Sequence, residues 1–284
     1  MVSWQSGDAV ANGINIHYSR SGRDDKPALM LLHGATDNGR CWTPVAEALA
    51  ADFDVLLPDA RGHGRSAAPP DGHTSAERAA DVAGLIAVLG LATPLAVGGH
   101  SMGGQTTFRL AVERPDLVRC AILEDPPFRP QQTTPDARFS ETRQRIRAEV
   151  AHVQGLAGED ALAYARQSHP NWPAAELPAW VESKQQVSQT FLGALGGAAD
   201  EPPWTELLPR ISCPVLLLTG DPERGAIITP EAAEQARQLN PRVQVVHLAG
   251  AGHNIRRERF DGYLSAVRDF LAQHAAAAPL QASR

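Results

Sequence analysis

One stretch limits what this chain can fold into: Val97-Gly98-Gly99-His100-Ser101-Met102-Gly103-Gly104. An apolar run from Pro94 to Val97 enters it, and a helix-forming run from Gln105 to Val112 leaves it. Gly99 to Gly103 fits G-x-S-x-G, a serine on a sharp strand-to-helix turn. Such a reversal leaves no room for Cβ atoms on either side of the serine, hence the glycines. The serine itself must sit in a strained backbone conformation at the positive end of the following helix.

The remainder of the chain reads as strands alternating with helices. Ile14 to Tyr18 alternates and is expected to be an early strand. Ala28–Leu32, Phe53–Leu57, Leu95–Val97, Cys120–Leu123, Val215–Leu218 and Val243–Leu248 are strand-like, most of them continuous apolar runs of the kind buried on both faces of a parallel sheet. Helices are expected over Trp42 to Ala51 and Thr74 to Leu89. Alternation of this kind implies right-handed crossovers and an α/β fold with a mostly parallel central sheet. Ligands of such sheets gather at the carboxyl ends of the strands. His33, Ser101, Asp125, Glu223 and His253 all fall there.

The alternation stops between Phe128 and about Pro209. Phe139, Ile146, Val150 and Val153 share one helical face, and Trp180, Val187, Phe191 and Leu195 share another. Residues 128–209 are therefore expected to form an inserted helical cap, with residues 1–127 and 210–284 as the core. The Ala-rich tail from Gln273 is expected to fray.

Composition excludes several classes. Hydrophobic residues make up 43% and charged residues 20%, as in a globular protein. A net charge of −6 argues against a nucleic-acid or other phosphate-binding surface. Cys41, Cys120 and Cys213 lack metal-ligand spacing and read as buried thiols. No stretch has signal-peptide or membrane-spanning character, so a cytoplasmic protein is expected. No metal, cofactor, nucleic acid or membrane partner is expected, and a homodimer stays open.

The chemistry follows from the serine. Its hydroxyl is a weak nucleophile until a base takes the proton. His253 follows the last strand in a Gly-Ala-Gly-His loop and is the candidate base. The N–H groups of Met102 and Ala35 are the candidate donors to an oxyanion. For the acid that orients the histidine there are two positions: Asp125, after the strand that follows the serine's helix, and Glu223, after the next-to-last strand. Asp221 is a third option. His33, Phe128, Trp172, Trp180 and Phe191 are candidates to line a substrate pocket, with Phe139 beside them.

His33-Gly34, Asp59 to Ser66, Gly99 to Gly104 and Gly250 to His253 together resemble the α/β-hydrolase superfamily. In that superfamily the next-to-last strand usually ends in G-x-x-D-x-x-[VT]-P. Here the stretch from Gly220 to Pro230 is three residues longer, so the usual acid position is disturbed. Haloalkane dehalogenases and zearalenone lactonases resemble this chain in carrying an acid at the position matching Asp125. The resemblance therefore favours Asp125, with Glu223 as the alternative. A serine nucleophile implies hydrolysis of a small to medium apolar carboxylic ester or lactone. Similar serine turns occur in C–C bond hydrolases and cofactor-free perhydrolases, and a non-catalytic ligand-binding protein is a third reading.

Overall fold

The computed structural model describes residues 2–22, 25–128, 137–195 and 202–275, without the side chains of residues 137–139. The part of the Ala-rich tail from residue 276 onward, and the side chain of Phe139, lie outside the described residues.

Eight strands form one sheet: β1 (Gln5–Ala11), β2 (Ile14–Arg20), β3 (Ala28–Leu32), β4 (Asp54–Pro58), β5 (Leu95–His100), β6 (Val118–Glu124), β7 (Val215–Thr219) and β8 (Val243–His247). Their order is β1-β2-β4-β3-β5-β6-β7-β8. β1 and β2 pair antiparallel, as do β2 and β4, and the other pairs are parallel. β1 has no clear signature in the sequence. It is an edge strand, half exposed, and its residues are held by a hairpin turn at Asn12-Gly13 with positive φ at both positions.

The helices are α1 (Thr43–Leu49), α2 (Ser75–Val88), α3 (Met102–Glu113), α4 (Ala137–Gln154), α5 (Gly158–Ser168), α6 (Leu177–Gln186), α7 (Gln189–Ala194), α8 (Trp204–Leu207), α9 (Pro230–Leu239), α10 (Ile255–Glu258) and α11 (Phe260–His274). Thr74 and Glu77 close a reciprocal capping box at the start of α2. The buried apolar residues of α2, α3 and α9 cover one face of the sheet. Those of α1 and α11 cover the other. The central strands are buried on both faces for this reason, which is why they read as continuous apolar runs.

Between β6 and β7 the regular elements among the described residues are helices. Phe128, Trp204, Leu207 and Leu208 continue the main core, so both ends of the insertion are anchored in it. The inserted helices have a separate core of Val153, Ala161, Ala165, Leu177, Trp180 and Val181. A second small cluster joins Val150, Val187, Phe191 and Leu192 to Met102, Ala35 and Ala60, at the carboxyl ends of the strands. Among the described residues, no helix is long and apolar enough to cross a membrane.

Packing at the turn after β5 is tight enough to specify glycine. A Cβ on Gly103 would collide with the carbonyl oxygens of Leu32 and His33, and one on Gly99 with the backbone of Gly103. Backbone cannot swing aside as a flexible side chain can. Gly103→Ala is expected to cost at least about 3 kcal/mol in urea unfolding, the upper range for overpacking. Gly193→Ala, where an added Cβ meets nothing within 4 Å, is the matched control and should be neutral or slightly stabilising.

Candidate active site

Ser101 sits between β5 and α3 with φ 51° and ψ −112°. A non-glycine residue holds such a conformation only when its surroundings over-determine it. Here the Ser101 N–H donates to the Glu124 carbonyl at 2.9 Å, and the Ser101 carbonyl accepts from the Gln105 N–H at 2.9 Å. Both peptide groups beside the side chain are thus fixed, one by the neighbouring strand and one by the first turn of α3. Met102 opens α3, so its N–H has no acceptor within the helix and lies at the positive end of the helix dipole.

Asp125 follows β6 with φ 42°, and its carboxylate is fully buried. Its Oδ2 lies 2.6 Å from His253 Nδ1. Oδ2 also accepts from the Ile227 N–H at 2.8 Å, and Oδ1 accepts from the Ile228 N–H at 2.9 Å. Both oxygens face donors, so the group is solvated by protein as a carboxylate. The proton of the histidine is drawn to Nδ1, which leaves the lone pair on Nε2. The carbonyl of His253 accepts from His100 Nε2 at 2.9 Å, which holds the base loop against β5.

The structure brings Asp125, not Glu223, to His253. Glu223 is exposed on a single turn over Pro222–Arg224. Asp221 is occupied elsewhere, accepting from the Gly250 N–H at 2.6 Å and pairing with His247 at 3.0 Å. The lengthened segment after β7 explains the difference. Its Ile227 and Ile228 N–H groups wrap over Asp125 and supply the donors that a buried carboxylate needs.

The loop after β3 is held from two sides by histidines. His33 Nε2 accepts from the Ala60 N–H at 2.9 Å, so its Nδ1 carries the proton and donates to the Gly34 carbonyl at 2.8 Å. That carbonyl also accepts from the Asp37 N–H at 3.1 Å. The Gly34–Ala35 peptide is therefore pinned at its oxygen, which fixes the direction of its N–H on the opposite side. His63 repeats the arrangement: Nδ1 donates to the Arg61 carbonyl at 2.9 Å and Nε2 accepts from the Thr36 N–H at 3.3 Å. Burial pushes the pKa of His33 down, only partly offset by Asp59, and pushes those of His63 and His100 well down.

His33, expected at a pocket wall, is bonded to backbone through both ring nitrogens and lines a cavity beside Ala60, Met102 and Gly103. Phe128 stacks on Trp204, with centroids 4.9 Å apart, within the main core rather than beside the serine. Trp172 stacks on His169 and Trp180 packs in the separate core of the inserted helices. Large aromatic rings supply most apolar area where two layers of helix meet, so they are drawn into those cores. Phe191 does reach the site: it packs with Met102 and Ala35. Sequence reasoning missed four charged residues close by, Asp37, Lys184, Arg256 and Arg257, all buried. Charge at those positions reads as surface, and only its paired burial distinguishes it.

Comparison with known proteins agrees with this architecture. A model of the alpha/beta hydrolase fold matches residues 27–256. The chain belongs to the alpha/beta hydrolase family. It is 30% identical over 267 residues to the N-formylmaleamate deformylase of Pseudomonas putida, spanning 93% of this chain and 96% of that one. It is 28% identical to the 2-(acetamidomethylene)succinate hydrolase of Mesorhizobium japonicum, spanning 91% of each. The crystal structure of the enol-lactonase from Burkholderia xenovorans superposes with a TM-score of 0.74 at 26% identity, spanning 94% of this chain and 100% of that one. This alpha/beta hydrolase is accordingly a hydrolytic enzyme, with relatives that differ in the bond named.

The three neutral histidines tie stability to pH. Each has a folded pKa below its unfolded value near ~6.5, so the unfolded state takes up protons that the folded state refuses. Stability is then full above about pH 6.5 and lost as pH falls, by up to about 1.4 kcal/mol per pH unit for each histidine. The urea midpoint should drop between pH 7.5 and 5.5, a range in which ordinary carboxylates do not titrate, and replacing His63 by Gln should flatten the dependence.

Proposed function

We propose that this alpha/beta hydrolase is a serine hydrolase that cleaves a small to medium apolar carboxylic ester or lactone through Ser101, His253 and Asp125. The observation that carries this reading is the 2.6 Å bond between His253 Nδ1 and a fully buried Asp125, together with a serine in a strained turn whose N–H is held by the carbonyl of Glu124, the residue before Asp125. In this reading His253 Nε2 takes the Ser101 proton as Oγ attacks the carbonyl carbon. Asp125 keeps the imidazole in the required tautomer and stabilises the imidazolium that forms. The oxyanion is met by the N–H groups of Ala35 and Met102. Collapse expels the alcohol, which receives the proton from His253, and water then releases the acid from the acyl-enzyme by the same steps in reverse.

The apolar cluster of Val150, Val187, Phe191 and Leu192 against Met102 and Ala35 supports an apolar substrate, with the inserted helices acting as a cap. A second reading has support from the relatives. A deformylase and an (acetamidomethylene)succinate hydrolase both point to an N-acyl bond, which the same nucleophile and oxyanion donors would cleave with an amine as the leaving group.

A panel of p-nitrophenyl acetate, aryl esters, lactones and N-formyl and N-acetyl enamides separates the two. Ester or lactone turnover with a larger kcat/KM supports the first reading, and enamide preference replaces it with the second. In either case Ser101→Ala should lose several powers of ten in rate while staying folded. Asp125→Asn should lose about two to four powers of ten in kcat with little change in KM, and Glu223→Gln should stay within about twofold of the parent. The reverse ranking would move the acid to Glu223.

A further inference from the structure

Six charged side chains lie buried together around the loop after β3. Lys184, on α6, donates to the Thr36 carbonyl and to Asp37 Oδ1, each at 3.1 Å. Asp37 Oδ2 accepts from Arg257 at 3.1 Å and pairs with Arg256 at 3.4 Å. Arg256 continues to Glu124 at 3.3 Å, and Arg257 to Glu176 at 3.1 Å. Every one of these side chains is at most 4% exposed. Three acids face three bases, so the formal charges cancel. A buried set of this kind is rarely a net gain in stability over an apolar one, because desolvation offsets the attraction. Its value lies in fixing geometry.

What it fixes is specific. Glu124 precedes Asp125, Arg256 and Arg257 follow His253 by a few residues, and Arg257 also donates to Asn254 Oδ1 at 3.1 Å. Asp37 and Thr36 follow Ala35. Lys184 and Glu176 come from the inserted helices. One set of ion pairs therefore touches the acid strand, the base loop, the loop carrying Ala35, and the insertion. On the side of Ala35 the restraint is close to complete. The Gly34 carbonyl is held by His33 and the Asp37 N–H, the Thr36 N–H by His63, and the Thr36 carbonyl by Lys184. Thr36 itself has φ 62°, which a β-branched residue adopts only when held. Lys184 is the member of this restraint that comes from outside the core. The neighbouring α6 residue Gln186 adds a second tie, accepting from Asn38 at 2.9 Å.

We propose that Lys184 is a positioning residue for the oxyanion site: by holding the Thr36 carbonyl and the Asp37 carboxylate from the inserted helices, it aims the Ala35 N–H at the reacting carbonyl. This inference rests on the assignment of Ala35 as an oxyanion donor. The inserted helices are then a working part of the catalytic apparatus as well as a roof over the substrate. Substrate affinity depends little on this donor, because charge on the carbonyl oxygen develops fully only in the transition state.

Lys184→Met tests the proposal, since methionine fills much of the same space with an apolar side chain and removes the ammonium, which lies 4.8 Å from the Trp180 ring centroid. The measurements are kcat and KM with the best substrate of the panel, the inhibition constant of an aryl boronic acid that forms a tetrahedral adduct on the serine, and the urea midpoint. The expected result is a 10- to 100-fold loss in kcat, KM within about threefold of the parent, and a boronate affinity that falls in step with kcat/KM. Lys184→Gln keeps a donor without the charge, and serves where the methionine variant does not fold; it should lose kcat to a smaller extent with the same unchanged KM. A folded variant with parental kcat, or one with only a lowered urea midpoint, overturns the proposal. Ser101→Ala run alongside distinguishes the two levels: if it stays active the serine assignment itself fails, and if it is inactive while Lys184→Met is at full rate only the positioning role fails.

Discussion

The hydrogen bond between Asp125 and His253 is the constraint on which the rest of the site depends. A carboxylate with no exposure to water is tenable only if protein donors replace its hydration. The imidazole supplies one of them, and the Ile227 and Ile228 N–H groups supply the others. The loop after β7 must therefore fold back over the end of β6. That requirement accounts for its extra length and for the diversion of Asp221 to the Gly250 N–H, where it braces the loop carrying His253.

The same logic governs the loop after β3. Its residues form no regular structure, yet its peptide groups are individually held, by two neutral histidines, by a backbone N–H and by a lysine from α6. Neutral imidazoles suit this task because each offers one donor and one acceptor in a rigid plane. Burial keeps them uncharged, so the loop's geometry does not shift with the proton uptake that ordinary histidines undergo near neutrality. Preorganised donors of this kind need no rearrangement as charge develops on a substrate.

The inserted helices do two different things. Val153, Trp180 and their neighbours hold the helices to one another, while Val150, Val187, Phe191 and Leu192 face Met102 and Ala35. The change of partner occurs within single helices: Val150 and Val153 are three residues apart on α4 yet belong to different clusters. An apolar stripe in the sequence shows that a face is buried, and is silent on which of two neighbours buries it. This is why Trp172 and Trp180, which the sequence offers for a pocket wall or for packing, can be placed within the insertion only from the structure.

The sequence by itself determined the alternation of strands and helices, the strained serine turn, the histidine after the last strand and the helical interruption between β6 and β7. Each is written in local terms: apolar periodicity, glycine where backbones meet, a loop motif at a strand end. It missed β1, whose half-exposed edge residues carry little pattern. It held two carboxylates in view for one role, since the choice depends on which strand end the base loop approaches and on which backbone N–H groups surround it. Only the tertiary structure brings Asp125, rather than Glu223, to His253, from positions more than a hundred residues apart. Only it revealed the ion pairs of Asp37, Lys184, Arg256 and Arg257, because burial of a charge is a property of its partners, and those partners come from three separate segments of the chain.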